Sequence, residues 1–156
     1  NDVYVRPAGN HGFILLDDLK PQTVERMKRE GFEPAATIET SPGNYQAWVK
    51  MSDKPLSADV RRVTAQALAQ HFGADPNSAD SRHYGRLAGL TNQKPEHTRD
   101  GRQPYVLAHD CPGRGRASSR VTSRHFDHGR SSRVFISRSN RPYGLTCSQI
   151  SGVRAA

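Results

Sequence analysis

A chain of 156 residues is long enough for one domain with a modest hydrophobic core and too short for two full ones. It has no apolar run able to cross a bilayer and its start does not read as a secretory signal, so a soluble cytoplasmic protein is the expectation. The net charge of +8 falls unevenly: residues 1–100 hold 13 Lys+Arg against 13 Asp+Glu, whereas residues 101–156 hold ten Arg, no Lys, Asp110 and Asp127.

The opening Asn1-Asp2-Val3-Tyr4-Val5 lacks an initiating Met and reads as a strand already in progress, the expectation for a piece of something larger. Val3 to Val5 and Phe13 to Leu16 are predicted strands. Pro21 to Arg29 is a predicted helix with Val24 and Met27 on one face and Gly31 as its stop. Ala35 to Glu39 and Tyr45 to Met51 are predicted strands joined across Ser41-Pro42-Gly43-Asn44, where Pro and Gly form a turn. Ser57 suits the N-cap of a second helix, in which Val60, Val63, Ala67 and Phe72 recur near helical period and Gly73 is the stop. The order is β-β-α-β-β-α. From Asp75 to Lys94 the chain is polar with scattered Gly, a loop holding a site on a scaffold.

Tyr105-Val106-Leu107 is the last predicted strand before Cys111-Pro112-Gly113, which places a domain at residues 1–112 and a basic tail at 113–156. The tail, with Ser118-Ser119-Arg120 and Ser131-Ser132-Arg133, has the composition of a disordered segment that binds nucleic-acid phosphates without sequence preference. An idle tail and an out-of-frame terminus are the alternatives, and Val134-Phe135-Ile136 is the one run that would dock there as a strand. Cys111 and Cys147 lack metal-ligand spacing and support neither a disulfide framework nor a zinc site.

Three polar motifs carry the chemistry. Ile14-Leu15-Leu16 ends in Asp17-Asp18, and Mg²⁺ or Mn²⁺ binds through a few carboxylates plus substrate phosphates, two such ions being able to stabilise the attacking and leaving oxygens of an in-line nucleotidyl transfer. Adjacent side chains on a regular strand point to opposite faces, so the two aspartates share a site only where the strand ends or twists. A third carboxylate is available from Asp75, directly after the second helix, or from Asp80, closer to the basic segment. The Ser41 hydroxyl, the Gly43 backbone and the Asn44 amide suit a phosphate held at a turn. Arg86 can grip phosphate oxygens bidentately, with Lys94 as a point charge, and His83 and Asn92 stand in the same segment. Tyr84, beside this basic loop, is the first candidate to stack on a template base, whereas Tyr45 and Trp48 lie on opposite faces of one strand and Trp48 reads as core.

On these residues, positions 3–112 resemble the RepB-type plasmid replication primases of the archaeo-eukaryotic primase superfamily. That superfamily combines an acidic motif after an apolar strand, a Ser-x-His-like hairpin element, and a later aspartate followed by Arg, Gly, Asn and Lys. The matching positions here are Asp17-Asp18, then Ser41 to Gln46, then Asp75 or Asp80 with Arg86, Gly89, Asn92 and Lys94. The resemblance implies an α+β, RRM-like core with a mostly antiparallel sheet carrying the metal aspartates, and primer synthesis on single-stranded DNA from nucleoside triphosphates. It further implies a role in plasmid replication or mobilisation, with a helical primase domain, helicase or relaxase as associated parts. Gln46 departs from the pattern, since it stands roughly where the superfamily often has histidine, so the triphosphate leans on His83, Arg86 and Lys94. Two other classes compete: a catalytically silent nucleic-acid-binding module, and a replication-initiator or relaxase accessory domain.

Overall fold

In the computed structural model, which describes residues 2–112, the strongest apolar run of the sequence becomes strand β2 (Phe13–Leu19), after the short β1 (Tyr4–Val5). Ile14 and Leu16 face one side of the sheet and Leu15 the other, and all three are buried because both faces are covered. Helix α1 (Pro21–Arg29) follows at once, with Pro21 in the first turn, where a missing N–H costs little, and with Val24 and Met27 buried. Strands β3 (Pro34–Ser41) and β4 (Asn44–Lys50) form a hairpin. Ser41 pairs with Asn44, and Gly43 takes φ 73°, as position i+2 of a Pro-Gly type II turn demands. Helix α2 (Ala58–Phe72) is capped by Ser57, whose side chain accepts from the Val60 N–H, and ends at Gly73 in the left-handed region.

All ladders are antiparallel, and the main sheet runs β2-β4-β3-β6, with β6 (Leu107–Asp110) at its far edge. β2 and β3 are therefore parallel with β4 inserted between them, so α1 is the crossover of a split β-α-β unit. One core joins both helices to one sheet face through Ile14, Leu16, Met27, Val49, Leu68 and Phe72, and a second gathers Leu15, Ala36, Ile38, Trp48 and Val106 on the other face. The architecture is thus α+β with antiparallel sheets and two helices, as expected.

A two-stranded ribbon of β1 and β5 (Gly85–Arg86) lies against the second face. Gln46 fastens it: its Nε2 donates to the Arg86 carbonyl at 2.7 Å and its Oε1 accepts the Arg86 N–H at 2.9 Å. A Cβ at position 85 would stand 3.0 Å from both Gln46 Nε2 and Trp48 Nε1, so glycine is what lets the ribbon approach.

Two expectations are corrected. The buried stripe of α2 is Arg61, Ala65, Leu68, Ala69 and Phe72, whereas Val60 and Val63 are only half-buried and Ala67 is exposed. An arginine occupies a core position because its Nη1 donates to the Leu56 carbonyl at 2.6 Å, and that hides the true apolar face from a reading by hydropathy. The last strand among the described residues is Leu107–Asp110 rather than Tyr105 to Leu107: Tyr105 makes only a bridge to Thr91, while the mostly exposed β6 follows no hydrophobic pattern. Cys147, Val134-Phe135-Ile136 and the basic segment at 113–156 lie outside the described residues. No helix among the described residues is long and apolar enough to cross a membrane.

Candidate functional site

The adjacent aspartates sit where β2 loses regular pairing. Leu16 pairs with Ala47 and Leu19 with Tyr45, so β2 accommodates one extra residue as a bulge. Leu16 and Leu19 both enter the helix-covered core, which leaves Asp17 and Asp18 outside it. Asp18 takes φ 59°, a conformation Asp tolerates better than most residues, and its N–H donates to Asp17 Oδ1 at 2.9 Å. The twist that the pair needs in order to share a site is supplied by this bulge.

Asp17 is half-buried, and burial raises its carboxyl above the ordinary 3.8; the Asp18 N–H and the charge of His83 oppose this, while the negative charges of Asp18 and Asp75 reinforce it. Asp75 is tied to the strand itself. Its N–H donates to the Asp17 carbonyl at 3.0 Å, and its carboxylate accepts the Asn77 N–H at 2.9 Å, capping the 3₁₀ turn Pro76–Ser78. Asp80 is exposed, its carboxylate accepts the Arg82 N–H, and it is not among the charges acting on Asp17. A backbone hydrogen bond therefore ties Asp75 to Asp17, and the charges of Asp18, Asp75 and His83 act on the Asp17 carboxyl.

Among the described residues no three His, Cys, Asp or Glu side chains converge as a closed metal cluster. The donor set still fits a hard divalent ion, because crowded carboxylates raise one another's pKa in the absence of a cation, and Mg²⁺ usually takes only one or two carboxylates alongside water and phosphate. Asp17 and Asp18 are the residues that could hold it.

Beside the bulge opens a cleft of about 290 Å³ lined by Asp18, Lys20, Ser41, Pro42, Asn44, Glu96, His97 and Arg99. It joins the first two sequence motifs: Lys20 Nζ stands 3.3 Å from Asn44 Oδ1, and Ser41 is buried at the end of β3. Lys20, His97 and Arg99 were not foreseen. Arg99 is placed by a tight hairpin in which it exchanges both backbone hydrogen bonds with Arg102, at 2.9 and 2.8 Å, and Asp100 and Gly101 take φ 50° and 71° as in a type I′ turn. The Asp-Gly dipeptide is the signal that would have found it.

The remaining predicted residues are placed differently. Asn92 is 1% exposed; its Nδ2 donates to the Thr40 carbonyl at 2.8 Å and its Oδ1 accepts the Lys94 N–H at 3.1 Å, so it fixes the loop against β3. Lys94 is exposed, 3.9 Å from Glu96, and does not line the cleft. Arg86 is buried, with Nη1 2.6 Å from Asp2 Oδ1 and Nη2 without a protein partner. Gln46 is committed to the β5 backbone.

Residues 1–122 match the family model of the RepB DNA-primase N-terminal domain. Mobilization protein A of Escherichia coli is 54% identical over 117 residues, covering 73% of this chain and 16% of that protein. A DNA primase of Acidithiobacillus ferrooxidans is 40% identical over 96 residues, 60% of this chain and 27% of the other. The crystal structure of primase RepB′ superposes with a TM-score of 0.67 at 50% identity, over 72% of this chain and 38% of that one. That of the catalytic domain of primase RepB′ in complex with initiator DNA gives 0.65 at 50% identity, over 72% and 57%. The chain spans less than two thirds of each of these relatives. By the match over residues 1–122, it belongs to the RepB DNA-primase N-terminal domain family.

Proposed function

We propose that residues 1–112 form the catalytic domain of a DNA primase, which makes short primers on single-stranded DNA by metal-dependent nucleotidyl transfer in plasmid replication or mobilisation. The observation that carries this reading is the β2 bulge, which holds Asp17 and Asp18 outside the core, with Asp75 bound to the same backbone and a polar cleft alongside. The primase relatives and the initiator DNA bound by the RepB′ catalytic domain support it.

When bound, Mg²⁺ or Mn²⁺ stabilises charge on the attacking and leaving oxygens of an in-line displacement. The chain's own groups do the rest. Asp17 and Asp18 supply the carboxylates, and the N–H of Asp75 fixes the Asp17 backbone. Lys20 and Arg99, with the Ser41 hydroxyl and the Asn44 amide, offer cationic and neutral contacts to a triphosphate entering the cleft. The charge of His83 acts on the Asp17 carboxyl. A nucleic-acid template selects the incoming nucleotide, and the ten arginines after residue 100 favour its phosphates. A helical primase domain, a helicase or a relaxase is the partner class, and the cytoplasm is the compartment.

That no closed three-ligand cluster occurs among the described residues favours one rival, a silent nucleic-acid-binding module. Incubation with single-stranded DNA, labelled nucleoside triphosphates and Mg²⁺ or Mn²⁺ separates the two. Primers made by the native chain and lost in Asp17→Ala/Asp18→Ala establish the primase; DNA binding without product from either chain establishes the module.

A further inference from the structure

The β1–β5 ribbon turns one face to the main sheet and the other to solvent. Val5 and Gly85 pair with each other and are both buried, Gly85 against Gln46 and Trp48. The strand alternation then sends Tyr4, Arg6, Tyr84 and Arg86 to the opposite face. Tyr4 pairs directly with Arg86, whose guanidinium carbon lies 4.8 Å from the Tyr4 ring centroid, and Arg6 stacks over Tyr84 at 4.6 Å. The outer face is therefore two arginine–tyrosine stacks side by side. Both rings remain open to solvent, Tyr4 45% and Tyr84 47% exposed.

We propose that this ribbon is a stacking platform for single-stranded DNA, taking two bases on Tyr84 and Tyr4 with arginines at their phosphates. A flat aromatic surface next to a guanidinium is the combination that binds single strands without sequence preference, because every base has a π-face and every nucleotide a charge. Arg6 and Arg82 are exposed, and Arg6 Nη1 is oriented by the Arg82 carbonyl at 3.1 Å. Asp2 neutralises only one edge of Arg86, whose Nη2 is buried with no protein partner. A phosphate oxygen would give that atom an acceptor. Duplex DNA keeps its bases stacked on one another and offers this face nothing, so a single strand is the occupant. Tyr84 adjoins His83 in the chain, and the charge of His83 acts on Asp17 in the acidic bulge. Calling that strand the template rests on the primase reading; the platform itself does not.

The test is fluorescence anisotropy of the full chain with labelled oligothymidylate, in chelator and without nucleotide. Each of Tyr4→Ala and Tyr84→Ala should weaken binding about 5- to 150-fold, the equivalent of ~1–3 kcal/mol per stacked base. Tyr4→Phe and Tyr84→Phe should bind as the native chain does, and an abasic oligonucleotide should bind native and alanine variants alike. Failure of the native chain to bind, or equal binding by the alanine variants with native-like circular dichroism, overturns the platform. Primer synthesis scored in parallel separates the two ideas. Asp17-dependent product with tyrosine-independent binding rejects the platform alone, while tyrosine-dependent binding without product rejects the primase alone.

Discussion

Replacing Gln46 by alanine tests whether this residue holds the ribbon or reaches a nucleotide. Its amide makes two hydrogen bonds to one backbone unit, at 2.7 and 2.9 Å, and both are buried. Alanine leaves the Arg86 N–H and C=O without partners away from water, at about 1–3 kcal/mol each, hence roughly 2–6 kcal/mol before any cavity is counted. Against a typical domain stability of about 5–15 kcal/mol that is a large fraction, and at roughly 4–8 °C per kcal/mol it predicts a melting point lower by at least ~8 °C. Urea unfolding followed by fluorescence is well placed to read it, because Trp48 is the single tryptophan and lies beside Gly85 on the same face. Gln46→Glu should fall between, since it retains an acceptor for the Arg86 N–H, loses the donor to the carbonyl and buries a charge. A Gln46→Ala chain within about 0.5 kcal/mol of native that has nonetheless lost primer synthesis would refute the clamp and return position 46 to the nucleotide.

Asp17→Asn should stabilise the metal-free protein. A raised native pKa means that unfolding releases a proton, so native stability falls as pH rises from 3.8 through the folded value; the variant's advantage grows across that window, is full above it, vanishes below 3.8, and is absent at every pH if the reasoning is wrong. Glu30 is held below its ordinary 4.5 by His71, 2.6 Å away, and by Arg26 at 2.9 Å, a link from the end of α1 to α2. The side chains are 34–52% exposed, so after discounting for screening Glu30→Gln should cost only ~0.2–1 kcal/mol at neutral pH, lost as pH falls through the depressed pKa; a larger penalty at low pH than at pH 7 contradicts this. Gly12→Ala should fail to fold or lose at least ~3 kcal/mol, because a Cβ there would lie 2.0 Å from the Ser52 carbonyl oxygen; a native melting curve would show that the two segments separate easily.

Elements whose cause is local were legible in the sequence. The start of α1 at a proline, the Ser57 cap, the Pro-Gly turn and the left-handed Gly73 each follow from a residue's own backbone preference, and each stands where it was expected. Elements whose cause is a partner were not. Arg61 is buried because the Leu56 carbonyl and Asn10 meet it, and β6 is a strand because the β3 edge pairs with it, although its own side chains are mostly exposed. Neither partner can be read from the residues that depend on it.

The same distinction divides the site. Two carboxylates at the end of an apolar run are conspicuous because they break a pattern, so Asp17 and Asp18 stand out as candidates in the sequence. The bulge that lets them share a side is a property of two strands, visible only when Leu16 and Leu19 are both matched to β4. Asp75 and Asp80 look equivalent in a polar loop, and it is the hydrogen bond from the Asp75 N–H to a distant strand that separates them. Asn92 looks like a ligand for the same reason that Lys20 and Arg99 pass unnoticed: polarity does not say whether a side chain faces substrate or the protein's own backbone. Burial does. Asn92, closed off and doubly bonded, positions the loop, whereas exposed Lys20 and Arg99 line the cleft, so two of its cationic groups stand outside the residues that the motifs single out.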